Sequence, residues 1–268
     1  MSDNIADING AQIHYDITGE GQPLVLVHAG IADRRQWDEQ VAAFAQHYRV
    51  IRYDARGYGQ SKPVEGEYTR FDDLGALLDH LEIERTHLLG CSIGGTAVLD
   101  FALTYPDRAA SLIVVCSRPS GFRKIVAPTP PKQWDEIVRL SDEGNLEAVS
   151  ELEVQVWVDG PNRTPDRVAK LVRERVFEMN LIALRYEVME LGEEKPLDPP
   201  AVDRLSDIRI PTLLIYGEYD QPDVIQAGTY LQQQIPNARK VMLPAGHVPN
   251  MELPEEFNRL VLDFLAAL

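Results

Sequence analysis

At 268 residues, the chain is long for one small core but normal for a single α/β domain carrying an insertion. A hydrophobic share of 44% with 25% charged residues is globular composition, which excludes disordered and low-complexity classes. The 26 basic and 42 acidic residues leave a net charge of −16, a surface that repels phosphate backbones and anionic bilayers, so neither nucleic acid nor a membrane is an expected partner.

The opening MSDNIADING has neither the basic nor the apolar region of a signal peptide, and no apolar run approaches the length of a membrane span. Two cysteines, Cys91 and Cys116, are too few for a disulfide scaffold, so a reduced, cytoplasmic chain is expected. The six histidines and two cysteines show none of the short spacings that zinc requires, and no metal is expected.

In chain order, the alternating stretch AQIHYDIT (11–18) reads as an antiparallel edge strand. Continuous apolar, β-branched runs follow: LVLVH (24–28), RVIRY (49–53), THLLG (86–90), SLIVVC (111–116), IPTLLIY (210–216) and RKVMLP (239–244). Runs apolar on both sides of the pleat predict strands covered on both faces, and therefore a mostly parallel, twisted central sheet sandwiched by helices. Between them, YTRFDDLGALLDHL predicts an amphipathic helix capped by Thr69, and LPEEFNRLVLDFL a last helix with Pro254 in its first turn. Between about 119 and 206 the alternation stops, and a helical insertion is bracketed by the proline clusters PTPP (128–131) and PLDPP (196–200). This divides the chain into a core, 1–118 with 207–268, and a helical cap, 119–206.

The stretch LLGCSIGG (88–95) places a strand, a very tight turn and a helix start in eight residues. The central residue of such a turn is strained, and only glycine-sized neighbours two positions away let the chain pass. Centred on Ser92 those neighbours are Gly90 and Gly94; centred on Cys91 they are Leu89 and Ile93, which are too large. Ser92 is therefore the candidate nucleophile, its hydroxyl at a helix N-terminus where backbone amides favour a developing oxyanion. A serine needs an imidazole base and an orienting carboxylate. Asp220 follows the strand IPTLLIY, with Glu218 and Asp223 as its nearest competitors, and His247 follows VMLP; both fall beyond predicted strand ends, where parallel sheets bind ligands. Of the other histidines, His14 and His28 fall on strands or their ends, and His47, His80 and His87 on or beside surface helices.

These motifs together resemble the α/β-hydrolase superfamily, in the group with a helical cap inserted after the sixth strand. GEGQPLVLVHAG is similar to that family's third strand and oxyanion loop, YDARGYGQSKP (53–63) to its D-x-R-G-x-G-x-S turn, GCSIGG to its nucleophile elbow, IYGEYD to its acid loop and GHVPNMELPEEF to its histidine loop and last helix. The resemblance implies Ser92 as nucleophile, His247 as base and then acid, Asp220 as the residue orienting the imidazole, and the backbone N–H groups of Gly30 and Ile93 as oxyanion donors. The family commonly reads His-Gly after this strand, whereas this chain reads His28-Ala29-Gly30. Ala29, Ile31 and Val248 beside these loops, with Trp134 and Trp157 of the cap, are expected to line the substrate pocket. Asp54, Arg56 and Ser61 are expected to brace loops, and the two cysteines to pack. The implied activity is hydrolysis of a small or medium-sized carboxylic ester without a cofactor. A lactone or enol-lactone hydrolase is the close alternative, with a carbon–carbon bond hydrolase or a ligand receptor of the same fold behind it. Carbon–carbon hydrolases of this kind often carry Asn before the serine, where this chain has Cys91. The expected partner is a small-molecule ester or lactone, with a homodimer as a further possibility.

Overall fold

The computed structural model describes residues 4–127 and 129–268, so the first three residues of the opening stretch and the first proline of PTPP lie outside it. The chain starts with a hairpin, β1 (Asn4–Ile8) and β2 (Ala11–Thr18), turned by Asn9 and Gly10 at φ 47° and 81°. Positive φ at both turn residues matches the right-handed twist of the flanking strands, which is why Asn-Gly suits this position. β3 (Gln22–Val27), α1 (Asp38–Phe44), β4 (Tyr48–Tyr53), the short β5 (Glu67–Tyr68), α2 (Arg70–His80), β6 (Thr86–Cys91), α3 (Ile93–Thr104) and β7 (Ala109–Val115) follow. After β7 come α4 (Trp134–Asp142), α5 (Leu146–Val154), α6 (Lys170–Glu187) and the short β8 (Glu193–Glu194). β9 (Thr212–Gly217), α7 (Pro222–Gln234), β10 (Ala238–Leu243), α8 (Pro249–Glu252) and α9 (Pro254–Ala266) complete the chain.

Eight strands form one sheet in the order β1-β2-β4-β3-β6-β7-β9-β10. β1 pairs antiparallel with β2 and β2 with β4, and every later pairing is parallel. All six apolar runs are strands. The alternating stretch 11–18 is a strand too, but β1 lies outside it, so the sheet edge is β1 and not β2. Every residue of β6 and of β9 is buried, as a strand covered on both faces requires. α2 packs on α3, and α1 on α9, where fully buried Trp37 and Phe257 meet at a ring separation of 6.3 Å.

Thr69 caps α2 as expected, its Oγ1 accepting from the Asp72 N–H at 3.1 Å, and Pro254 opens α9. The helical segment after β7 has a small core of its own in Ile137, Leu140, Val149, Val156 and Leu184. Its two ends meet at Ser120, whose Oγ accepts from the Ala201 N–H at 2.8 Å and whose carbonyl accepts from the Val202 N–H at 3.0 Å. β5 and β8 pair in parallel and tie the end of this segment to the loop before α2.

Candidate active site

Ser92 sits between β6 and α3 at φ 53° and ψ −115°. Its N–H donates to Val115 O at 2.9 Å, and its carbonyl accepts from Ser117 Oγ at 2.6 Å and the Thr96 N–H at 3.0 Å, so the turn is held from both sides. A Cβ on Gly90 would overlap the Gly94 backbone, and one on Gly94 would overlap the carbonyls of Val27 and His28. The glycine argument that selected Ser92 over Cys91 therefore has a steric basis on both sides of the turn.

His247 and Asp220 come together in the buried space beneath the loops after β9 and β10. Nδ1 of His247 bonds Asp220 Oδ2 at 2.8 Å, and Asp220 Oδ1 accepts from the Gln221 N–H at 2.7 Å. A carboxylate only accepts, so Nδ1 carries the proton and Nε2 is the basic nitrogen. Asp220 is 2% exposed, whereas Glu218 is exposed and Asp223 is spent in an ion pair with Arg118. Geometry thus separates the three acids. The histidine loop is fastened to the serine turn by the Cys91 thiol, which donates to His247 O at 3.6 Å; Cys116 does the same for Gly246 O at 3.8 Å. Burial pushes the Cys91 thiol up to about 12 and raises the Cys116 thiol well above its ordinary value, so both are neutral anchors. Donor atoms of Cys116, Asp220 and His247 lie within 4.8 Å of one another, but a thiol held protonated and a ring nitrogen donating to a carboxylate make a poor metal set.

The other expected residues follow. Ile93 is the first residue of α3, so its N–H has no acceptor within the helix. Gly30 lies against it: a Cβ there would touch Ile93 Cγ2 at 3.4 Å and the Tyr58 hydroxyl at 3.7 Å. The Ala29 N–H is taken by Gln36 Oε1 at 2.8 Å and so is not free to serve as a donor, and Ala29 is fully buried. Ile31 lines a cavity of about 320 Å³ that Gly30 shares with Tyr58, Arg70, Glu153 and Asn180. Trp157 lies over His247, ring centroids 4.8 Å apart, and its carbonyl accepts from the His247 N–H at 3.1 Å. Val248 is fully buried beside it. Trp134 starts α4 with 49% of its surface exposed and is absent from the linings of the cavities that hold Gly30 or Ile93. Its helix turns Ile137 and Leu140 inward.

His28 bridges Ala29 O at 2.8 Å and the Ala55 N–H at 2.9 Å; the amide can only donate, so the tautomer is fixed with Nδ1 protonated, and burial lowers its pKa. His87 belongs to β6, not to a surface helix, and bonds Ser111 Oγ and Gln22 Oε1. Asp54 accepts from the N–H groups of Arg34 and Gln60, Arg56 pairs with Asp73, and Ser61 Oγ accepts from the His14 N–H, so that turn braces its neighbours. The anchoring by Cys91 and Cys116 has no local signal in the sequence, because each bond joins segments far apart in the chain.

A profile described as the alpha/beta hydrolase fold matches residues 22–254. The chain belongs to the α/β-hydrolase fold family. It is a hydrolase of that fold. It is 32% identical, over 95% of its length and 91% of the relative's, to a 2-hydroxy-6-oxononadienedioate/2-hydroxy-6-oxononatrienedioate hydrolase of Paraburkholderia phymatum. Its structure is similar to that of the enol-lactonase from Burkholderia xenovorans, with a TM-score of 0.79, 27% identity and coverage of 98% and 100%. It is also similar to a thermophilic esterase from Thermogutta terrifontis, with a TM-score of 0.80, 25% identity and coverage of 100% and 99%. Among the described residues no helix is long and apolar enough to cross a membrane.

Proposed function

We propose that this α/β-hydrolase is a serine hydrolase that transfers an acyl group from a small or medium-sized ester, or a lactone, to water. The observation that carries this reading is one arrangement: a serine on a strained turn, the Asp220–His247 pair fastened to that turn, and Gly30 packed against the side chain of Ile93, whose N–H opens α3. In this mechanism Ser92 Oγ adds to the carbonyl carbon while His247 Nε2 takes its proton. The carbonyl oxygen becomes the oxyanion, held by the two amides, and Asp220 stabilises the imidazolium. Collapse breaks the C–O bond, and His247 returns the proton to the departing alkoxide. Water, deprotonated by the same nitrogen, then attacks the acyl-serine and releases the acid and Ser92. Segment 119–206 acts as the cap, and Trp157 shields the imidazole from bulk water.

A second reading, hydrolysis of a carbon–carbon bond, is favoured by the 32% identical relative. It requires more of the site, because the leaving group is a carbanion that must be protonated at carbon. The position before the serine is no help: Cys91 is fully buried with its thiol on His247 O, and offers the cleft no polar group.

The test is hydrolysis of 4-nitrophenyl butyrate, an enol-lactone and a 2-hydroxy-6-oxodienoate by the wild type and by Ser92→Ala. Turnover of the ester or lactone, lost by at least about ten-thousand-fold in kcat on removing the hydroxyl, supports acyl transfer from oxygen. Turnover of the dienoate alone, followed by loss of its chromophore, transfers the conclusion to the second reading.

A further inference from the structure

We propose that Gln36 is a positioning residue that holds the oxyanion donor and the general base as one unit; the inference rests on the serine-hydrolase reading above. Gln36 lies on the single turn Arg34–Trp37 that follows the oxyanion loop, and it is 1% exposed. Its Oε1 accepts from the Ala29 N–H at 2.8 Å, its Nε2 donates to Asn250 Oδ1 at 3.1 Å, and its carbonyl accepts from Asn250 Nδ2 at 2.8 Å. Asn250, three residues beyond His247 and fully buried, also donates to Gln40 Oε1 at 3.0 Å, and its carbonyl accepts from Gln40 Nε2 at 3.1 Å. One side chain therefore bridges the oxyanion loop and the histidine loop.

The directions of these bonds are fixed. The Ala29 amide can only donate and the Gln36 carbonyl can only accept, so neither side-chain amide can be flipped without opposing two donors or two acceptors. This resolves which amide serves the oxyanion. With His28-Ala29-Gly30 after β3, two successive N–H groups compete for the role, and Gln36 removes the first, leaving Gly30. Without the Gln36 acceptor, the Ala29 N–H is buried and unsatisfied, and its peptide is driven to rotate toward another partner.

The experiment uses Gln36→Met, which keeps the volume and loses both bonds. Active sites are counted by titration with a fluorophosphonate, and kcat and KM for 4-nitrophenyl butyrate are expressed per titrated site. The Ki of an alkyl trifluoromethyl ketone, whose serine adduct carries an oxyanion, is measured alongside. The expected result is a fall in kcat of about 10- to 100-fold with KM nearly constant, and a rise in the ketone Ki by a similar factor. Should that variant not fold, Asn250→Ser cuts the histidine end while leaving the Ala29 bond, and carries the same expectation for kcat.

Wild-type kcat and Ki per titrated site, with only the titre or the melting temperature reduced, would reduce Gln36 to packing and overturn the proposal. A fall in kcat with an unchanged ketone Ki overturns it as well. If the wild type is neither labelled by the fluorophosphonate nor inhibited by the ketone, the serine-hydrolase reading falls first and the positioning role with it.

Discussion

Ser92 occupies a backbone region that costs a non-glycine residue roughly 1–3 kcal/mol, and three backbone-directed hydrogen bonds hold it there. The strain is tied to function: it lifts the side chain away from the strand while leaving the next amide at the helix start. Asp100, two turns further along α3, shows a different residue-scale effect. It is 6% exposed and accepts from Ser120 Oγ at 2.7 Å, and burial raises its carboxyl from 3.8 to about 7. A raised carboxyl pKa means that the folded state holds its proton more tightly than the unfolded chain, so stability falls as pH rises through that interval. Asp100→Asn removes this dependence. The melting temperature of the variant relative to wild type should therefore climb between pH 4 and pH 7 and level off above it, as scanning calorimetry across that range would show. A constant difference would mean that Asp100 does not titrate in this window.

At the scale of elements, the turn between β6 and α3 works because helix and strand approach closer than side chains permit. Gly94 faces the carbonyls at the end of β3, and a methyl group there has no space to enter without moving backbone. Gly94→Ala should destabilise the fold by about 3 kcal/mol and displace the oxyanion loop at the same time. Urea unfolding and kcat per titrated site would both fall; loss of stability with full activity would show that the loop is not coupled to the helix. α2 and α9 were readable in the sequence because Thr69, Pro254 and the helical spacing of apolar residues are local signals. β1 was not, since five residues alternating around Ala6 and Ile8 become a strand only when the Asn9-Gly10 turn folds them onto β2. The burial of Ile137 and Leu140 in α4 was not readable for a related reason: which stripe of a short amphipathic helix is buried depends on the helices it meets.

At the scale of the whole molecule, the charge of −16 sets a long-range field that no single residue controls. An anionic ester is repelled during approach and a neutral one is not. Raising salt from about 10 mM to 200 mM shortens the screening length several-fold, so kcat/KM for a monoanionic ester should rise by about twofold or more while that for its neutral methyl ester stays level. Equal salt responses would show that the cleft is shielded from the surface field. The same scale accounts for the helical segment after β7: its start and return both bond at Ser120, and β8 pairs with β5 just before the return, so the segment is tied down by residues some 80 apart in the chain.

The sequence by itself determined the sheet strands from β2 onward, the helices on either side, the serine turn and the two strand-end loops that carry the candidate acids and the histidine. Each has a short-range cause: continuous apolarity, a cap, or glycines at fixed offsets from Ser92. Only the tertiary structure decided which acid meets the imidazole, because Glu218, Asp220 and Asp223 differ in burial and partner rather than in local pattern. It alone also decided that the Ala29 amide is already engaged, since the Gln36 side chain that accepts from it is held by Asn250, 214 residues away. Hydrogen bonds are directional and close over a few ångströms, so a group's partner is fixed only when folding brings the two segments together.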